Sequence, residues 1–213
     1  MSSHPVLEVP ARLTGIDLSQ GDLMVLLRDG TQARHDAVEA KDLFKAPFEP
    51  GFTKDGYRAL LGVFRRAYLA VERQILPWID DDLFIDLREG PSYAALIDRD
   101  FQALGGTPAG ADTPLRAGDQ PAPATAAGAL GARYVLEGSM MGGMHLRKVL
   151  RKSFGEAFVE GLAFHGRHLS GTDIKRLRAR MSAALDAVPL SARGHAMAGA
   201  HWAFDCFDAA HDA

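Results

Sequence analysis

The sequence predicts an all-α fold, a single-domain bundle of about seven or eight helices. Three observations carry this. Apolar residues recur at helical spacing through most of the chain, as in Tyr57, Leu60, Leu61, Phe64, Tyr68, Val71 and Ile75. No stretch alternates apolar and polar residues with turn residues attached, which is what a strand would show. A length of 213 residues, 47% hydrophobic and 24% charged, suits one domain with a substantial core.

Residues 1–17 hold Pro5 and Pro10 among small polar residues and are expected to form a loose tail, with the domain at 18–210. Leu18 to Phe44 reads as the first helix, with Leu23, Leu26, Leu27 and Val38 on its apolar side and Gly30 as a mild defect. Pro47, Pro50 and Gly51 break it. Thr53 is the expected N-cap of the second long helix, which Pro77 ends near Leu76. The run Asp80–Asp82 suits a helix start, where carboxylates meet the positive end of the dipole. Leu83–Leu87 reads as a short helix and Ser92–Leu104 as another, stopped by Gly105 and Gly106. The stretch from about 105 to 124, with Pro108, Pro114, Pro121 and Pro123, reads as a mobile surface loop.

A helix follows, with Ala126, Ala129 and Leu130 before Tyr134–Leu146, Val135 within it and Leu150 after it. Gly138, Gly142 and Gly143 lie inside, and each interior glycine costs about 1 kcal/mol against alanine. Gly138 and Gly142 are four apart and share one face. A face without Cβ atoms admits either a flat ligand or another helix, and a break there would free backbone N–H groups. Phe154, Phe158, Leu162 and Phe164 continue the helical spacing to Gly166. Ser170 with Asp173 resembles a capping box for a helix with the stripe Ile174, Leu177, Met181 and Leu185, ended by Pro189. The last helix is expected over about Ser191–Ala210.

Several function classes lack their signatures. A formal charge of −3 gives no nucleic-acid footprint. One cysteine, Cys206, excludes an internal disulfide framework. No basic segment leads into an apolar run at the start, and no apolar run is long enough to span a bilayer, so a cytoplasmic setting is the default. There is no Walker loop, no Gly-x-Gly-x-x-Gly, and no strand–elbow–helix context for Ser139.

His35 is the first candidate for chemistry. It shares a helix face with Thr31, Val38 and Glu39, and Arg28 lies two turns before it. Arg28 could hold an anionic group of a ligand bound at His35, and Thr31 or Glu39 could fix the ring tautomer. The basic set around Lys175 and Arg178 reads as a solvated helix face or a clamp for carboxylates. His4, His145, His165, His168, His195, His201 and His211 form no ligand pattern and are expected to be surface or structural residues. Cys206 reads as core.

Leu27–Glu39, with Leu27-Arg28, Thr31, His35 and Glu39, resembles the first helix of heme oxygenases. Tyr134-Val135-Leu136-Glu137-Gly138-Ser139 with Gly142-Gly143 is similar to the distal helix of bacterial heme oxygenases, especially those accompanying bacteriophytochromes. The resemblance implies heme b held between a proximal helix bearing His35 as iron ligand and a glycine-broken distal helix. Gly138, Ser139, Gly142 and Gly143 would form the catalytic face, with Ser139 a proton donor. Arg28, Tyr134, Lys175 and Arg178 would meet the propionates. It implies cleavage of heme to biliverdin, carbon monoxide and ferrous iron with O2 and an external donor such as ferredoxin. A bacteriophytochrome is the implied acceptor, and no nucleic acid or membrane is implied. The chain departs from the family pattern at Met140 and Met141, at His165, where an aromatic is common, and near Asp173 and Ile174, where a tryptophan is expected. Two other readings compete: a heme or bilin carrier or sensor without turnover, and a di-iron oxidase built from carboxylates such as Glu39, Glu72 and Glu137.

Overall fold

The computed structural model describes residues 12–13, 16–85, 87, 92–106, 115, 122–166 and 171–213. Among them are eight α-helices: α1 (Leu23–Glu39), α2 (Asp42–Lys45), α3 (Lys54–Ile75), α4 (Tyr93–Ala103), α5 (Ala126–Phe154), α6 (Glu156–Glu160), α7 (Gly171–Asp186) and α8 (Arg193–Asp212). His4, His168, Ser170 and most of the expected tail and proline-rich loop lie outside the described residues.

Local chemistry sets the helix starts. The Asp22 carboxylate accepts from the Met24 and Val25 amides, Thr53 from Gly56, Ser92 from Ala95 and Thr125 from Gly128. The Asp22 cap is also why α1 begins at Leu23 and not at Leu18. Gly21, at φ +89°, turns the chain just before it, and Arg193 donates to the Leu18 and Gly21 carbonyls. The expected first helix is moreover interrupted after Glu39 and resumes as α2.

Four further expectations are corrected. Leu83–Leu87 is a single 3-10 turn, Asp82–Phe84, capped by Asp81. Part of the expected tail is ordered, with Arg12–Leu13 pairing antiparallel to Ile16–Asp17. The spacing from Phe154 to Phe164 is not one helix, because Gly155 at φ +90° ends α5 and α6 is a separate turn. Finally, α5 is not broken: it is helical through Gly138, Gly142 and Gly143. The helix keeps its hydrogen-bond ladder there, and only the side chains are missing.

α3 and α8 form the centre. Every residue of the α3 stripe named above is buried. α5 crosses α8 where both are bare: a Cβ at Gly131 would land on the Ala196 carbonyl, and one at Gly199 on the Gly128 carbonyl. α1 lies on α8 through Gly30, whose Cβ would run into the Met197 side chain. The supposed defect in α1 is therefore a contact point. His201 on α8 lies 3.0 Å from the Gly30 carbonyl, and Asp205 pairs with Arg34. Lys41 reaches Asp208 at 2.7 Å and Asp212 at 2.9 Å. Residues 201, 205, 208 and 212 follow helical spacing, so one face of α8 fixes the register of α1.

Candidate functional site

α1 and α5 do not close on each other. Between them is a cavity of about 650 Å³, within the usual range for small-molecule sites. α1 supplies Arg28, Thr31, His35 and Glu39, and α5 supplies Tyr134, Gly138, Ser139, Gly142 and Gly143. Phe64, Phe204 and Phe207 from α3 and α8 wall it with apolar surface, and Arg178 of α7 reaches its edge. Of the residues that the resemblance assigns to heme or to catalysis, Lys175 alone does not line it. Lys175 is exposed, one turn before Arg178, and only the Arg178 turn of α7 approaches the opening.

The His35 side chain is about half exposed, 48%, and its ring meets Phe204 edge-on at 6.2 Å. Its Nε2 lies 3.4 Å from Glu39 and its Nδ1 3.5 Å from Asp36. Both distances exceed those of strong hydrogen bonds, so the imidazole is available to a metal. Of the two candidates to fix its tautomer, Thr31 has its proton engaged elsewhere. Its buried hydroxyl donates to the Leu27 carbonyl at 2.7 Å.

The three glycines divide into two kinds. A Cβ at Gly138 or Gly142 would meet nothing within 4 Å. These two positions, four apart, open α5 toward the cavity. A Cβ at Gly143 would instead lie 3.4 Å from the His165 ring, which packs behind the helix. Met140 and Met141, which depart from the resemblance, do not line the cavity, and Met140 is buried.

Between the two open glycines, Ser139 receives a hydrogen bond from the Tyr68 hydroxyl at 2.8 Å. Burial pushes the Tyr68 phenol well above its ordinary pKa, so it remains a donor. Because Ser139 accepts there, its own proton is free to point into the cavity. At one edge, burial raises the Tyr134 pKa and Asp29, which pairs with Arg28 at 2.8 Å, adds to the rise, while Arg28 and Arg178 oppose it. Two cations and a phenol converge there, a suitable grip for carboxylates. At another edge Phe48 stacks on His145 with ring centroids 5.5 Å apart.

Lys45, Phe48 and His145 were not singled out from the sequence as cavity residues. Leu60 and Phe64 were read as core, since helical spacing does not distinguish a side chain facing the core from one facing an internal cavity. Among the described residues no three His, Cys, Asp or Glu side chains gather as a metal-ion cluster, which a di-iron centre requires. No described helix is long and apolar enough to cross a membrane.

A family model described as heme oxygenase matches residues 21–212. The solved structure of the heme oxygenase from Leptospira interrogans matches with a TM-score of 0.67 at 20% identity, covering 91% of this chain and 100% of that one. At that identity the likeness is one of fold. No curated protein sequence matches the chain.

Proposed function

The chain belongs to the heme oxygenase family, oxidoreductases that degrade heme to biliverdin, and from that premise we propose that the cavity between α1 and α5 is where it does so. The observation that carries this reading is that the bare face at Gly138 and Gly142 opens into the same cavity as the His35 imidazole. A flat ligand fits between a nitrogen donor on one side and a helix without Cβ atoms on the other.

Heme, when bound, supplies both the iron that activates O2 and the ring that is cleaved, with electrons from an external donor such as ferredoxin. The chain's residues hold and orient it. His35 would hold the heme iron. Arg28, Tyr134 and Arg178 take the propionates at their shared edge, and the phenylalanine walls exclude water. Gly138 and Gly142 allow α5 to approach the ring closely. The Ser139 hydroxyl, backed by Tyr68, donates a hydrogen bond from the α5 side, where the chemistry needs a proton. The products are biliverdin, carbon monoxide and ferrous iron. The likeness of residues 134–139 to bacteriophytochrome-associated enzymes supports a cytoplasmic role with a bacteriophytochrome as acceptor.

Titration of the purified protein with hemin, followed by ascorbate or a ferredoxin system under air, tests the reading. The expected result is a Soret band saturating at one equivalent that decays to a biliverdin spectrum. A saturating band that persists would replace the enzyme with a carrier or sensor. Absence of any band would overturn heme binding.

The two open glycines give a second prediction with opposite signs in two assays. Gly142→Ala meets no neighbour and removes an interior glycine, so the free protein gains about 1 kcal/mol, or roughly 2–4 °C in Tm. Gly142→Leu fills ligand space, and an overpacking cost of about 1–3 kcal/mol weakens hemin binding roughly 5- to 150-fold. Melting curves and hemin titrations on the free proteins check both. Unchanged hemin affinity in Gly142→Leu would show that this face does not meet the ligand.

A further inference from the structure

Behind the open glycine face lies a buried carboxylate that the site described above does not use. Glu137 of α5 is 3% exposed. Tyr93 of α4 donates to its Oε2 at 2.8 Å, and the Arg133 guanidinium stands 2.6 Å from its Oε1. The pair is poorly made for stability. Oε1 receives no aligned hydrogen bond, and Arg133 Nε has no hydrogen-bond partner among the described residues. A buried ion pair is costly unless its remaining polar atoms are satisfied, and well-packed apolar residues often replace one without loss. A carboxylate kept here calls for a reason other than stability.

The place of Glu137 in α5 supplies one. Gly138 and Gly142 carry no side chain, and a Cβ at either would meet nothing, so this stretch has no packing partner on the cavity side. Two phenols hold it from behind. The Tyr68 hydroxyl of α3 donates to Ser139 at 2.8 Å and lies 3.2 Å from the Leu136 carbonyl. The Tyr93 ring meets the Tyr68 ring edge-on, with centroids 5.4 Å apart, and the Tyr93 hydroxyl is tied to Glu137. Glu137 thus fixes Tyr93, Tyr93 walls in Tyr68, and Tyr68 reaches Ser139, which lines the cavity. A serine inside a helix tends to donate its proton to the carbonyl three or four residues back. Tyr68 stands at both Ser139 and Leu136, the residue three back, and so competes for that carbonyl.

We propose that Glu137 is a positioning residue for the open face of α5: through Tyr93 it holds Tyr68 where the Ser139 proton is left to point into the cavity. Arg133, whose guanidinium also lies 5.4 Å from the Tyr93 ring centroid, braces both members of the pair. The inference rests on the heme reading of the cavity. A donor held in place before the ligand arrives costs no reorganisation when it is used. That is what a helix stretch bare on its ligand side needs from the side chains behind it.

The test uses the hemin-loaded protein, reduced and saturated with carbon monoxide, and reads the C–O stretching band by infrared spectroscopy. A hydrogen-bond donor near the oxygen lowers the C–O frequency, so Ser139→Ala is expected to move the band upward and sets the reference for a lost donor. Tyr93→Phe keeps the ring and loses the tie to Glu137. It is expected to split the band, with one component at the wild-type frequency and one near the Ser139→Ala reference. Glu137→Leu is expected to split it likewise. Thr53→Ala removes the α3 cap, outside the cavity, and lowers Tm by roughly 2–4 °C. It is expected to leave one unmoved band, which separates positioning from lost stability. A single unmoved band in Tyr93→Phe, an unmoved band in Ser139→Ala, or equal splitting in Thr53→Ala overturns the proposal while heme binding stands. If Glu137→Leu does not fold, Tyr93→Phe decides by itself. A wild-type protein that gives no Soret band fails the heme reading, a result distinct from an unmoved C–O band.

Discussion

His35→Ala is expected to remove the axial-histidine spectrum of the hemin complex and to lower biliverdin formation by at least about 100-fold, since even the loss of a residue supporting a metal ligand commonly costs about 10- to 100-fold. Two imidazoles line the cavity, His35 on α1 and His145 on α5. His145 is exposed and stacks on Phe48. His35 stands on the helix opposite the glycine face, against Phe204. α8 braces it further through Gly30 and Arg34. His35 is therefore the imidazole that would hold the iron of a heme bound between α1 and α5. His145→Ala should keep the spectrum that His35→Ala loses. The reverse outcome would put the ligand in the cavity in a different orientation. Optical spectra of both variants with one equivalent of hemin decide the matter.

Gly131→Ala is expected to be the most damaging single-methyl change in the scaffold. α5 and α8 meet backbone to backbone, and the added Cβ would collide with the Ala196 carbonyl, which belongs to a second helix and not to a flexible side chain. The α8 face there is Ala196, Gly199, Ala200 and Ala203, all buried with nothing to trim. The helices must separate, which loosens the α3–α8 core. A cost of about 3 kcal/mol, at the upper end for overpacking, lowers Tm by roughly 6–12 °C in a domain of this size. The contrast with Gly142→Ala is the informative part. Both substitutions replace a glycine in the same helix, and propensity alone gives both the same stabilising sign. A thermal melt of Gly131→Ala that matched or exceeded wild type would show that the crossing is looser than described.

Much of the bundle was legible in the sequence because its signals are local. The stripe from Tyr57 to Ile75 repeats with the helix period, and Thr53 and Ser92 cap the helices that follow them. The glycines at 138 and 142 with His35 gave most of the candidate site, because an interior glycine without a turn signal has to be explained by something outside the helix. Where local reading failed, a neighbour distant in sequence was responsible. Gly30 read as a defect because Met197 and His201, which lie against it, are far away in the chain. Thr31 was one of two candidates, with Glu39, to orient His35, but its hydroxyl donates to its own helix. His165 matched no ligand motif. Its surroundings, Tyr57 at Nδ1 and the missing Cβ of Gly143, are not visible from its sequence neighbours.

By itself, then, the sequence determined the helical class, the capped helix starts and a glycine-marked segment paired with one histidine, since propensity, capping and periodicity act within a few residues. Only the tertiary structure decided what each missing Cβ is for. At Gly131 and Gly199 it lets two helices touch, at Gly143 it makes room for His165, and at Gly138 and Gly142 it leaves open space beside the cavity. The physical reason is that a glycine carries the same local information at every one of these positions. Its role is set by what the rest of the chain brings within 4 Å.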